Sequence, residues 1–253
     1  MLKRSLYIFI WLVLPICSFG NDNAPQLFEK GNALYAKGQY KEALNTYQEL
    51  LNGGYQSSTV YYNMGNASYK LDDIPSAILY FEKAHKLAPN DEDINFNIRL
   101  ANSKTTDKVD EIPEFFLTRW WKSFIFSSSL NTLSILSIVF FLAASGLLIL
   151  YFFAGAFSIK KYSFYAAIIG FFFGLILIFM AGRQVSYFDS HKQAIVFTNS
   201  VTVKSGPVDK SSSLFVIHDG TKVNVEDYNN DWIKIKLING NEGWIKASDV
   251  RGI

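Results

Sequence analysis

The sequence predicts a multidomain membrane protein in three parts: an all-α helical-repeat solenoid, a two-helix transmembrane hairpin and a small all-β barrel. Three observations carry this expectation. A self-similarity recurs at an interval of 34 residues in the first half, two long stretches (123–159 and 162–182) carry no charge, and from Ala194 onward apolar residues alternate with period two. The 253 residues are 49% hydrophobic and 16% aromatic, yet all of the 24 basic and 22 acidic side chains fall outside the two uncharged stretches. That distribution describes lipid-facing segments joined to substantial water-exposed parts, not a transporter built of spans. Lys3 and Arg4 belong to the leader, and without them the charge balances, which leaves no electrostatic case for nucleic acid.

Residues 1–20 read as a secretory signal, with Lys3 and Arg4 as the basic region, 6–14 as the apolar core, and Ser18 and Gly20 as a small-residue cleavage site. Pro15 and Ile16 precede Cys17, where a lipoprotein signal wants a small residue. Cys17 is the only cysteine, so removing the leader leaves no thiol for a disulfide, a metal site or a nucleophile. An uncleaved anchor is the alternative. In either case, the chain beyond Asn21 is expected to be exported.

The repeat places Gly31 opposite Gly65, Ala43 opposite Ala77 and Tyr47 opposite Phe81, each pair 34 residues apart. Each unit reads as two helices. Leu27, Leu34 and Tyr35 line the first helix of copy one, and Tyr40, Ala43, Leu44, Tyr47 and Leu50 line its second. Tyr61, Met64, Tyr69, Ala77, Ile78, Phe81 and Ala84 repeat the pattern before Pro89. Gly31, Gly65, Ala43 and Ala77 fall where paired helices approach too closely for a larger side chain. This stretch resembles tetratricopeptide repeat (TPR) proteins, and the expected TPR domain is 24–106. It departs from the family in having Leu27 at the early tryptophan position. A third copy has Arg99 in place of the glycine and no second helix, so 91–103 is expected to be a capping helix. Two repeats and a cap fall short of the three or so that stacking usually needs, so a partner or self-association is expected to complete the solenoid.

The resemblance implies a concave peptide-binding groove faced by Phe28, Asn32, Tyr35, Tyr62, Asn63, Asn66 and Tyr69. Asn32 and Asn63 match two asparagines of the carboxylate-clamp subfamily, but the clamp's cationic positions hold Phe28, Asp93 and Asn97. A buried carboxylate without a cation is costly, so the surface suits a neutral extended peptide. The alternative is that these polar residues are only solvated.

Residues 112–126 hold Arg119, Trp120, Trp121 and Lys122 among apolar neighbours, a mixture suited to a bilayer surface. Residues 130–153 and 164–182 are the expected spans, joined by a short connector at 154–163. Lys160 and Lys161 favour a cytoplasmic loop, and the export signal puts both flanking regions outside. Neither span holds an ionisable residue, so an ion pathway is not expected. Gly170 and Gly174 form a GxxxG step, read either as a dimerisation face or as packing within the hairpin.

From Ala194, the pairs Val201/Val203, Phe215/Ile217, Val223/Val225, Ile233/Ile235 and Trp244/Ile245 mark strands. Asp219-Gly220, Asn229-Asn230 and Asn239-Gly240 mark turns. This suggests a small closed barrel at 194–253. The run from Val201 to Pro207, with Asp219-Gly220-Thr221, Trp232, Asn239-Gly240 and Gly243-Trp244-Ile245, resembles the bacterial SH3 family, whose members bind cell-wall peptides or proline-rich segments. Tyr228, Trp232 and Trp244 are the aromatic candidates for an SH3-like groove. In so small a barrel, completing the core is the favoured reading for the two tryptophans.

Chemistry finds no footing in this pattern. His85, His191 and His218 fall in different segments, and there is no nucleophile elbow, phosphate loop or zinc-protease motif. No catalytic residue, metal or cofactor is expected. The order of signal, repeats, two spans and SH3-like domain resembles the BatE-type proteins of bacterial aerotolerance (Bat) operons. That resemblance implies partnership with membrane-bound von Willebrand A-domain proteins and, across the inner membrane, a MoxR-type ATPase system concerned with envelope stress or protein assembly. The export signal, with two spans, puts the TPR and SH3-like parts both on the periplasmic side. The expected function is therefore a non-enzymatic scaffold, with a cell-wall sensor that binds peptidoglycan stem peptides and a peptide-binding holdase as alternatives.

Overall fold

A computed structural model of the chain describes residues 23–108 and 115–253. The expected leader at 1–20, and 112–114 of the expected interfacial segment, lie outside the described residues. The chain divides into two compact units, Met1–Gln56 and Ser57–Ile253.

The first unit holds α1 (Ala24–Ala36) and α2 (Tyr40–Asn52), an antiparallel pair turned by Gly38 at φ +77°. Pro25 lies in the first turn of α1, where a missing N–H costs nothing. Ala43, Tyr47 and Leu50 are buried between the helices. A methyl on Gly31 would collide with the Tyr47 ring, so the close crossing demands glycine.

The second unit opens with α3 (Ser58–Lys70) and α4 (Ile74–Leu87), which repeat that geometry 34 residues on. Ser57 caps α3 by accepting from the Val60 N–H, and Asp73 caps α4 by accepting from Ser76. Gly65 faces the Phe81 ring, which an added methyl would meet at 2.5 Å. Asp72 occupies the place of Gly38 and takes the same left-handed backbone, at φ 61°. Next comes α5 (Glu92–Ser103), where the Asp91 carboxylate accepts from the N–H groups of Asp93 and Ile94.

Then come α6 (Phe116–Ile125), α7 (Leu130–Phe153) and α8 (Phe157–Ser190). Both α7 and α8 are long and apolar enough to cross a membrane. At 34 residues, α8 is longer than the 164–182 stretch. It leaves only 154–156 as the connector, and it runs on through 183–190. Its length of about 51 Å exceeds a hydrocarbon core of about 30 Å, so its last turns stand clear of any bilayer it crosses. Gly170 and Gly174 are spent inside the hairpin, since a methyl on Gly170 would lie 3.1 Å from Ala144 Cβ and one on Gly174 would lie 2.8 Å from the Phe141 ring. At the hairpin's open end, the Gln184 amide, almost fully buried, donates to the carbonyls of Ile125 (2.7 Å) and Ser128 (2.8 Å).

The chain ends in an antiparallel sheet of β1 (Gln193–Val196), β2 (Ser200–Lys204), β3 (Ser213–His218), β4 (Lys222–Asn229), β5 (Trp232–Lys236), β6 (Glu242–Lys246) and β7 (Val250–Gly252). The strand order is β3-β2-β6-β5-β4-β1-β7. β3 and β7 are its two ends, and no ladder joins them, so the hydrogen bonding is not closed as the sequence suggested. Val201, Val203, Ile217, Val223, Ile233, Ile235 and Ile245 meet in one core, as their alternation requires. The turns use Gly220, Asn230 and Gly240, all at positive φ.

The glycine contacts set a test. Gly65→Ala should destabilise the protein by about 1–3 kcal/mol, the usual cost of overpacking. Gly182→Ala, whose added methyl meets nothing within 4 Å, should be close to neutral in the same thermal melt.

Candidate functional site: the repeat face and its junction with the sheet

The expected groove residues turn out to be heavily used within the fold. In the first unit, Asn32 Oδ1 accepts from the Tyr47 hydroxyl at 2.8 Å, the Phe28 ring lies against Tyr47, and Tyr35 meets Tyr40 edge-on at 5.2 Å. In the second unit, Asn97 of α5 is the organiser that the sequence reading missed, having noted it only as an absent clamp cation. Its Nδ2 donates to the Tyr62 hydroxyl at 2.9 Å and to Asn66 Oδ1 at 3.3 Å. Tyr69 lies under the Lys104 ammonium, 4.5 Å from the ring centre, and that ammonium also pairs with Asp72 at 3.0 Å. Asn63 is half-buried on the same helix as Tyr62 and Asn66. The second-unit residues thus present an amide–phenol surface braced by the capping helix.

Nothing in the sequence placed the sheet against the repeat. Ile195 of β1 has no exposed surface and belongs to the apolar cluster of Ala77, Ile78, Leu79 and Phe81 on α4 and Ala101 on α5. Phe197 and Ile253 pack against the same cluster. The sheet therefore supplies, within one chain, the apolar cover that the missing second helix of the third repeat does not. No partner or second copy is needed for that.

Polar contacts fix the orientation of this junction. The Asp107 carboxylate accepts from the His218 backbone N–H (2.7 Å), the His218 ring Nδ1–H (2.8 Å) and the Thr221 hydroxyl (2.7 Å). Because a carboxylate only accepts, the ring proton sits on Nδ1. Burial works to raise the Asp107 pKa, but the His218 ring, the His218 N–H and Thr221 outweigh it and hold the carboxyl below its ordinary value. Gly220, at φ +80°, approaches Thr105 so closely that a methyl there would lie 2.7 Å from Thr105 Cγ2. Lys108 completes the segment by donating to the carbonyls of Asn102, Ser103 and Thr105, which closes the C-terminal end of α5.

A second ion pair joins Lys222 to Glu82 at 2.7 Å, with the Glu82 side chain only 7% exposed. Beside it, His85 is half-buried. Burial lowers its pKa, and the pull of Glu82 and Asn95 in the other direction does not restore it. Next to these contacts opens a cleft of about 450 Å³, walled by Asn102, Lys108, Gln193, Lys222, Asn224 and Ile238. The Asp107 carboxylate also lines it, and its two ammonium groups are already held by Glu82 and by the carbonyls at the end of α5.

Of the aromatic candidates of the sheet, Trp232 and Trp244 share one face and Tyr228 does not join them. Trp232 and Trp244 do not complete the core, which isoleucines and valines already fill. The two tryptophans are half-exposed on the outer face, where Trp232 pairs across the ladder with Lys246 and Trp244 with Lys234 and Lys204. The Lys246 ammonium lies 5.7 Å from the Trp232 ring. Tyr228 pairs with Ile233 instead, so it stands on the opposite side at the rim, 59% exposed, under the Lys192 ammonium.

Two outcomes are expected at the junction. Ile195→Ala should cost about 2–5 kcal/mol, the range for emptying a packed aliphatic site. It should increase proteolysis of both the second repeat and the sheet, because both lose a wall. Because the Asp107 pKa is lower in the folded state, its contribution is present at neutral pH and lost as the pH falls below about 4. Asp107→Asn should remove that acid step from a pH series of unfolding midpoints.

The comparisons with known proteins agree with these regions. A model described as TPR repeat matches 31–72, one described as tetratricopeptide repeat matches 58–91, and one described as bacterial SH3 domain matches 199–251. No curated protein matches the chain. Among solved structures, an NlpC/P60 family protein from Bacillus cereus is similar at 15% identity, over 28% of this chain and 23% of that one. Its TM-score of 0.22 is too low to carry an argument. The chain carries tetratricopeptide repeats followed by a C-terminal bacterial SH3 domain.

Proposed function

We propose that this chain is a membrane-anchored, non-enzymatic scaffold. It holds its TPR and SH3 domains on the exported, periplasmic side of a bacterial inner membrane, within a Bat-type envelope-stress or protein-assembly complex. TPR and bacterial SH3 domains are modules of protein interaction or peptidoglycan binding, and α7 with α8 supplies the anchor. The observation that carries the scaffold reading is the junction itself. Ile195 and Asp107 fasten the SH3 domain to the second repeat, which favours presenting two surfaces in one fixed relation over two modules acting independently. The partners proposed on the wider resemblance are von Willebrand A-domain membrane proteins. Lys160 and Lys161 at the start of α8 support a cytoplasmic turn.

A second reading, a wall sensor that binds peptidoglycan stem peptides, draws support from one feature. Trp232 and Trp244 stand among lysines on the outer face of the SH3 sheet, where they can stack on and pair with a carboxylated ligand.

Crosslinking of the full-length chain in its own membrane, read by mass spectrometry, separates the two. Deleting 194–253 would uncover the repeat core, so point variants are used. Under the scaffold reading, protein crosslinks fall at least several-fold in a Tyr62→Ala, Asn63→Ala double variant and persist in Trp232→Ala, Trp244→Ala. The reverse pattern, with muropeptide as the product that is lost, favours the sensor. Protein crosslinks that survive both double variants would sink the assignment of these surfaces.

A further inference from the structure

The helix α6 has an arrangement that the scaffold reading leaves unexplained. At about 100° per residue, Phe116, Trp120, Phe124, Leu117, Trp121 and Ile125 fall in that order around one half of its circumference. Arg119, Lys122, Thr118 and Ser123 fill the other half. Five of the six apolar side chains are exposed, with Phe116 at 67% and Trp120 at 64%. The sixth, Ile125, is 3% exposed and packs with Leu133 of α7 and Met180 of α8.

The position of α6 says what covers the open half. Its last carbonyl, that of Ile125, receives the Gln184 amide, and the Phe126 carbonyl just beyond it accepts from Asn90 at 2.9 Å. The Phe126 ring meets Tyr187 and Phe188 edge-on, at 5.2 and 5.5 Å. Only four residues separate α6 from α7. The helix thus ends at the level where α7 starts and where α8 passes from its uncharged stretch to Arg183. Cations also gather at that level: Arg119, Lys122, whose ammonium lies 5.5 Å from the Tyr187 ring centre, and exposed Arg183. A helix with an apolar half and a basic half, held at the mouth of a lipid-crossing hairpin, has the composition of one lying in the bilayer interface.

We propose that α6 is a lipid-binding helix. Its Phe116–Trp120–Phe124 face inserts beneath the headgroups of the leaflet on the repeat side, while Arg119, Lys122 and Arg183 meet lipid phosphates. Through Asn90 the same helix ties the turn between α4 and α5 to the membrane surface. The inference rests on α7 and α8 crossing a bilayer, and is independent of what the scaffold binds.

The test uses the full chain in phosphatidylcholine–phosphatidylglycerol vesicles, with lipids brominated at shallow or deep acyl positions. One variant keeps Trp120 as its only tryptophan, and a second has none but Phe172→Trp in α8. Trp120 emission should be blue-shifted, quenched at least twofold more by shallow than by deep bromines, and shielded from aqueous iodide. The Phe172→Trp reporter should be quenched by bromine at either depth. If that reporter is quenched while Trp120 ignores both bromolipids and stays open to iodide, the α6 proposal is overturned, and its apolar half belongs to a protein partner. If neither is quenched, the spans themselves fail and the proposal fails with them. Arg119→Glu with Lys122→Glu should at least halve shallow quenching of Trp120. Undiminished quenching would overturn the headgroup contact.

Discussion

Ile195 is wholly enclosed, and its cover comes from helices α4 and α5 as well as from its own strand. Burying an aliphatic side chain of this size stabilises by about 1.5–3 kcal/mol. Here that energy is realised only when the SH3 domain and the second repeat are together. The contact joins residues about a hundred positions apart, with the apolar hairpin lying between them in sequence. Its loop-closure cost is lowered by whatever holds the hairpin's two ends together, and Gln184, bound to the Ile125 and Ser128 carbonyls, does this. The hairpin and the junction therefore support each other.

An apolar contact of this kind is not directional, and a side chain such as Ile195 could be buried at many angles. Orientation comes from the polar shell. Three donors from the start of the Asp219-Gly220 turn and its neighbour Thr221 converge on Asp107, and Lys222 reaches the buried Glu82. Buried or half-buried charges of this sort add little net stability over a well-packed apolar substitute, because desolvation offsets most of the attraction. Their effect is selective: a rotated domain would leave Glu82 and Asp107 desolvated and unpaired. Gly220 allows the turn close enough for these bonds to form, which is a reason for glycine there beyond the needs of the turn itself.

The parts of the fold that were legible in the sequence are those with a period. The 34-residue interval located Gly31 and Gly65 opposite the rings that exclude any side chain, and the period of two sorted Val201, Val203, Ile217, Ile233, Ile235 and Ile245 to one face. The junction has no period. Ala194, Ile195 and Val196 are buried in succession, the mark of a strand covered on both sides, but three residues are too few to separate that from an ordinary edge. Asp107 lies in a polar, aperiodic stretch that reads as a spacer. The two tryptophans were misplaced because size suggested core, whereas parity with Ile233 and Ile245 puts Trp232 and Trp244 outside. Of the expected groove residues, the bonding of Tyr62 and Asn66 to Asn97, and of Asn32 to Tyr47, is a tertiary fact that no spacing encodes.

The end of α8 was hidden in a similar way, with mechanical consequences. Arg183 and Asp189 end the uncharged run and so mimic a linker, yet 183–190 contains no glycine or proline to stop the helix. An unbroken helix from Phe157 to Ser190 leaves only His191 and Lys192 before β1. A two-residue joint transmits tilt that a ten-residue coil would absorb. β1 in turn carries Ile195 into the repeat, so a displacement of the hairpin reaches the amide–phenol surface of α3 through covalent and packed contacts alone. At the hairpin's other end, 154–156 joins α7 to α8, and Lys160 and Lys161 lie on the first turns of α8.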